Sequence, residues 1–153
     1  MSKELHQKIH DYIAATRWAT LATVRDGTKP VLRAMGSFVP DDGLNVYYST
    51  AKTADKVKDV EKNGWVNFFF QHEGQELQTF KNVALIGIAH EVKEGEEHKK
   101  AVDLLSARNP RFKARVEKGE LKDIGIFKIE PKEIKYLDYT KGFGKAGIEV
   151  LTF

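Results

Sequence analysis

Two turn signals in the first third of the chain dictate most of what it can become. Arg25-Asp26-Gly27-Thr28 separates two runs of alternating character, and Asp-Gly supplies the left-handed backbone of a tight hairpin. Pro40-Asp41-Asp42-Gly43 turns the chain a second time. The segment from Pro30 to Lys56 therefore reads as strand, turn, strand, helix start. Two strands joined this closely lie side by side. Arg33 on the first can then approach the Ser49-Thr50 end of the second, with Lys52, Thr53 and Lys56 following at the helix start. Free N–H groups and the positive dipole end of that helix add to the cations, so the stretch is a prospective anion site suited to phosphate. The competing reading pairs Arg33 with Asp41 or Asp42, leaves Lys56 in water and makes Thr50 an ordinary cap.

The rest of the pattern is short strands between helices. Ser2 can cap a helix over 3–15, with Leu5, Ile9, Tyr12 and Ile13 on one face. Strands are expected at 18–24, 29–39, 44–49, 65–71, 79–92, 124–129 and 133–139, the last two split by Pro131. Val31, Arg33, Met35 and Ser37 fall on one face of the second strand. Helices are expected over about 53–63, capped by Thr53 and stopped by Asn63-Gly64, and over 95–107, with a further helical segment from Asn109-Pro110 to Gly119. Gly87 marks a bulge or a close approach. Residues 140–153 show no clear period. This is a mainly β chain with helices (α+β), an antiparallel sheet closed into a small barrel with helices outside. The 153 residues make one domain.

Composition narrows the chemistry. There is no cysteine, hence no disulfide, thiolate nucleophile or zinc–thiolate site. No signal peptide or long apolar run stands out, which gives the expectation of a cytoplasmic protein with no membrane partner. The net charge of +3 is spread among 22 acidic residues, which disfavours nucleic acid and suits an anionic small molecule. His6 and His10 have helical metal spacing but no third ligand. Gly142-Phe143-Gly144-Lys145-Ala146-Gly147 matches G-x-G-x-x-G, yet only six residues follow it, too few for the required helix and strand.

Leu21-Ala22-Thr23-Val24, Arg33-Ala34-Met35-Gly36 and Tyr48-Ser49-Thr50 with Lys56 beyond, in this order and spacing, resemble the pyridoxamine 5′-phosphate oxidase-like superfamily of FMN-binding split β-barrels, especially its short, general-stress-protein-like members. The resemblance spans roughly residues 5–138. It implies that Arg33, Ser49 or Thr50, and Lys56 hold the FMN phosphate, with Lys52 or Thr53 sharing it. It implies that Ala34, Met35 and Gly36 run under the isoalloxazine ring, and that Asn82 stands where the oxidase carries a flavin-contacting glutamine. A homodimer with flavin between subunits follows, together with a small-molecule electron donor and acceptor. Deazaflavin or haem are the alternative cofactors, and a non-catalytic flavin-binding or stress-related module is the alternative role. Two departures matter. Residues 139–153 hold no arginine or histidine, unlike the substrate-binding end of the true oxidase, and Phe38 replaces the family's lysine near the ring.

Overall fold

The computed structural model describes residues 2–153. Helix α1 (Lys3–Ala15) begins where the Ser2 hydroxyl accepts from the Leu5 N–H at 3.2 Å, and it buries Leu5, Ile9, Tyr12 and Ile13 as its spacing predicts. Strands β1 (Ala19–Arg25) and β2 (Lys29–Met35) form the expected hairpin. Asp26 and Gly27 both take positive φ, 52° and 75°, as a hairpin matching the strand twist requires. There follow β3 (Phe38–Pro40), β4 (Val46–Ala51), α2 (Asp55–Lys62), β5 (Trp65–Phe70) and β6 (Lys81–Glu91). Helices α3 (Glu96–Arg108) and α4 (Pro110–Glu117) lead to β7 (Ile124–Asp138) and β8 (Ile148–Thr152).

All strand pairs are antiparallel, in the order β2-β1-β5-β6-β7-β4-β3, with β8 also on β7. The sheet curls but does not close: β2 and β4 share no ladder, and Ser49 N–H donating to the Ser37 carbonyl at 3.1 Å bridges the gap. This is the antiparallel split barrel. Its interior holds Leu21, Phe38, Tyr48, Phe68, Phe70 and Phe127, with α1 and Val60 of α2 packed against them. Each such side chain contributes about 1.5–3 kcal/mol on burial, which makes this interior the main source of cohesion. A second cluster, including Tyr47, Leu105, Phe112 and Ile126, fastens α3 and α4 to the outside of β3, β4 and β7. Among the described residues no helix is long and apolar enough to cross a membrane.

Four expectations change. The strand expected over 29–39 breaks at Gly36-Ser37, because Trp18 lies over Gly36: a Cβ there would sit 2.7 Å from the indole Cζ3. Helix α2 starts at Asp55 after Ala54, and Thr53 does not cap it. Pro131 does not split the last strands. It sits opposite Gly87 where the β6–β7 register skips Lys132, a bulge that absorbs the missing N–H, and β7 runs through for 15 residues. The tail supplies β8, an eighth strand. Its glycine-rich segment makes short 3-10 turns, where a Cβ on Gly147 would meet the Asp138 carbonyl oxygen at 2.9 Å, so packing explains that glycine.

Candidate functional site

Arg33 points inward from β2, on the strand face it shares with Val31 and Met35. Its Nη1 donates to Thr23 Oγ1 at 2.7 Å and to the Val31 and Leu21 carbonyls at 3.3 and 3.4 Å, and its Nη2 meets Asp59 Oδ2 at 3.4 Å. Asp59, buried on α2, also receives Arg25 Nε and Nη2, each at 3.1 Å, and the Thr23 hydroxyl at 2.9 Å. The Arg25 hydrogen bonds hold the Asp59 carboxyl below the usual carboxylate range against the opposing effect of burial, with Thr23 and Arg33 adding to the shift. Asp41 and Asp42 are not the partners of Arg33. Asp41 accepts from the Gly43 and Asn45 N–H groups of its own turn, both at 2.9 Å.

Lys56 lies three residues before Asp59 on the same face of α2. Burial, and then the Arg33 cation, hold its amine below the usual lysine range. It makes no ion pair among the described residues. Arg33 also acts on Tyr48 of β4, whose hydroxyl is pushed up by burial and drawn back by that cation. Thr50 follows Tyr48 on the same strand face by alternation. The Arg33 and Lys56 charges thus act on each other, and Thr50 lies on the strand that carries Tyr48.

Around the rim of the split opens a cleft of about 1010 Å³, lined by Gly36, Ser37, Ser49 and Thr50 on the barrel side. The Ser37 and Ser49 hydroxyls bond to each other across the gap. Its other walls are Trp18, the end of α1, and the α3–α4 corner with Arg108, Arg111 and Arg115. Arg108 donates to the carbonyls of Ala14 (3.2 Å), Phe38 (2.9 Å) and Thr16, and its guanidinium lies 4.4 Å from the centre of the Phe38 ring. Phe38 is fully buried in the core beneath it.

The remaining predicted residues scatter. Met35 is buried in the core, while Ala34 faces outward from β2. Lys52 and Thr53 are exposed in the turn before α2, where Lys52 N–H donates to the Asp123 carbonyl at 3.2 Å. The register aligns Met35, Ala19, Phe70 and Val83 in one row, so Asn82 lies at the same sheet end as Gly36, three strands away. Sequence reasoning missed Asp59, whose signal was its helical spacing from Lys56, and the arginines of α3–α4, whose signal was the run 108, 111, 115. His6 bonds the Asp42 carbonyl at 2.6 Å, and exposed His90 lies 3.8 Å from Glu130. Among the described residues no three metal-ligating side chains gather.

No curated protein matches the sequence. Solved structures share the fold. A conserved hypothetical protein from Mycobacterium tuberculosis is 22% identical over 92% of this chain and 86% of its own, with a TM-score of 0.74. General stress protein 26 from Bacillus anthracis is 21% identical over 98% of this chain and 99% of its own, with a TM-score of 0.66. A haem-binding protein from Mycobacterium smegmatis is 14% identical over 99% of this chain and 59% of its own, with a TM-score of 0.77. The family model described as pyridoxamine 5′-phosphate oxidase matches residues 5–138, nearly the whole of the split barrel, and the chain belongs to that family.

Proposed function

We propose that this protein binds FMN across its split and acts as a homodimeric, flavin-dependent oxidoreductase of a small molecule, distinct from a true pyridoxamine phosphate oxidase. One observation carries the reading. Arg33 and Arg25 share the single buried carboxylate of Asp59, Asp55 reaches Arg25 only at 4.0 Å, and the Lys56 amine, held down by burial and by the Arg33 cation, makes no ion pair among the described residues. Like charges in a half-buried setting favour an added anion, and a phosphate carrying about −1.5 to −2 at neutral pH offsets that excess. Arg33 and Lys56 would hold the phosphate, with the Thr50 or Ser49 hydroxyl beside them. Bound FMN supplies hydride or single-electron transfer, and the chain orients it and sets its surroundings.

The outer face of the sheet supports the dimer. Leu32, Ala22, Asn67 and Ile86 form one cross-strand row over β2, β1, β5 and β6, flanked by Trp65 on β5 and Val150 on β8. Leu32 is 67% exposed, and Ile86, Trp65 and Val150 are exposed as well. An apolar sheet face of this extent fits a second copy of the chain.

The test is the visible spectrum of the purified protein before and after incubation with FMN and desalting, with mass spectrometry of released material. Retained FMN is expected, with loss of most of it in Lys56→Ala at unchanged folding stability, and occupancy that falls on dilution to monomers. A colourless protein that refuses FMN, or a Soret band from haem, overturns the reading. Retained flavin with no turnover on reduced nicotinamide and a panel of acceptors leaves a flavin-binding module instead.

A further inference from the structure

We propose that the cleft between Trp18 and the α3–α4 corner is a separate site for a nucleotide-like ligand, its flat ring against Trp18 and its phosphates on Arg17, Arg111 and Arg115. Taken as the partner of a bound flavin, this ligand rests on the reading above, but the side chains that would hold it, Trp18, Arg17, Arg111 and Arg115, are not those assigned to the flavin phosphate.

The charge is lopsided. Four arginines line the cleft, and Glu120 is the one acid among its lining residues. That acid reaches only Arg115, at 3.8 Å. Arg17 and Arg111 make no ion pair among the described residues. Arg108 spends its donors on backbone carbonyls, which leave its positive charge unneutralised at the cleft wall. Arg111 and Arg115 are four apart on α4, the spacing at which like charges face one another and repel. A fork-shaped cation is the group best matched to phosphate oxygens, and two of them one helical turn apart can meet two phosphates or one phosphate from both sides.

The walls give the other half of the ligand. Trp18 is 52% exposed, yet its ring packs against Gly36, which has no Cβ to lift it. An exposed indole packed on Gly36 at the mouth of a cationic cleft presents a face for a planar ring. At about 1010 Å³ the cleft, which includes the Gly36–Ser49 rim, stands at the top of the range for small-molecule sites.

The experiment is calorimetric titration of the protein, after FMN incubation and desalting, with NADP+, which carries ring and phosphates and drives no reduction. Nicotinamide riboside, which lacks phosphate, and inorganic pyrophosphate, which lacks a ring, are the controls. NADP+ is expected to bind, more tightly than either control, with affinity falling as salt rises and falling at least tenfold in Arg111→Gln/Arg115→Gln. Both substituted side chains are exposed on α4 and glutamine is a good helix former, so the fold is retained. Absence of NADP+ binding, or equal affinity in the double variant, overturns the site. So does loss of FMN from the double variant with retention in Lys56→Ala, because the arginines would then hold the flavin phosphate. NADP+ binding by a protein that refuses FMN sustains the site and removes the flavin reading alone.

Discussion

Arg33 and Arg108 are both guanidiniums drawn partly out of water, and they differ in what answers their charge. Arg33 belongs to a cluster with its own counter-ion: Asp59 takes hydrogen bonds from Arg25, Arg33 and Thr23 on one buried carboxylate. Arg108 has carbonyl oxygens and an aromatic face but, among the described residues, no carboxylate within ion-pair range. Both side chains are well satisfied in hydrogen bonds, and only one is satisfied in charge. A carboxylate can be protonated and a carbonyl cannot, so the first arrangement depends on pH and the second does not. The first also ties α2 to the β1–β2 hairpin, whereas the second ties α3 to the α1–β1 joint and to β3.

Removing the shared counter-ion should produce the largest effect. Asp59→Ala leaves Arg25 and Arg33 facing each other around a buried hole. We expect a loss of about 3 kcal/mol in urea denaturation at pH 7, the low end for breaking a buried pair because Arg25 stays partly in water. Added inorganic phosphate should restore part of that loss by binding the folded state where the carboxylate stood. A loss below about 1 kcal/mol, with no phosphate effect, would mean that Asp59 does not organise these cations.

The contrast also marks what the sequence made legible. The β1–β2 hairpin, α1 and the α3–α4 break were readable because Asp26-Gly27, Ser2 and Asn109-Pro110 encode local backbone geometry. Strand alternation put Arg33 on one face with Val31 and Met35, and only the packed sheet shows that this face turns inward. The partner of Arg33 was not readable: Asp59 lies 26 residues away on a helix whose docking only tertiary packing fixes. The arginine cleft was less readable still, since Arg17 and Arg111 come to line one cleft only through the packing of the α3–α4 unit on the barrel. Pro131 misled for a physical reason. A proline normally excludes a central strand, but here a one-residue bulge lets the ladder pass it. The tail gave no period because β8 is short and pairs on one side only, with β7.

Arg108 gives the intermediate effect. Arg108→Ala frees three carbonyls near the cleft and uncovers Phe38, and water can reach some of those carbonyls. We expect about 2 kcal/mol of destabilisation, from lost charge-assisted hydrogen bonds and the cation–π contact. The difference from wild type should stay constant from pH 7 to pH 3.5, because no titrating group answers this side chain. A gap that closes in acid would show that an unrecognised carboxylate is its partner.

The smallest effect separates the two regions most cleanly. Asp59 has a folded pKa below its unfolded value of about 3.9, so its ionised form favours the folded state. That contribution is fully present above pH 4 and is lost as pH falls through the depressed folded value. The groups facing Asp59 are Arg25, Arg33 and Thr23, none of which titrates in acid, and Asp55 touches the cluster only through Arg25. Glu97, held down chiefly by Lys128, and Asp138, held down by Thr140 and nearby lysines against burial, add to acid unfolding of the whole protein. Both are common to wild type and variant and drop out of the difference. Asp59→Asn keeps the shape and can still accept a hydrogen bond, but it has no proton to gain. The stability gap between wild type and Asp59→Asn should therefore be flat from pH 7 to pH 5 and shrink below pH 4, measured by urea denaturation at each pH. A gap that persists unchanged to pH 3 would mean that the carboxylate is held by its shape and hydrogen bonds rather than by its charge, and the distinction between the two guanidiniums would fall with it.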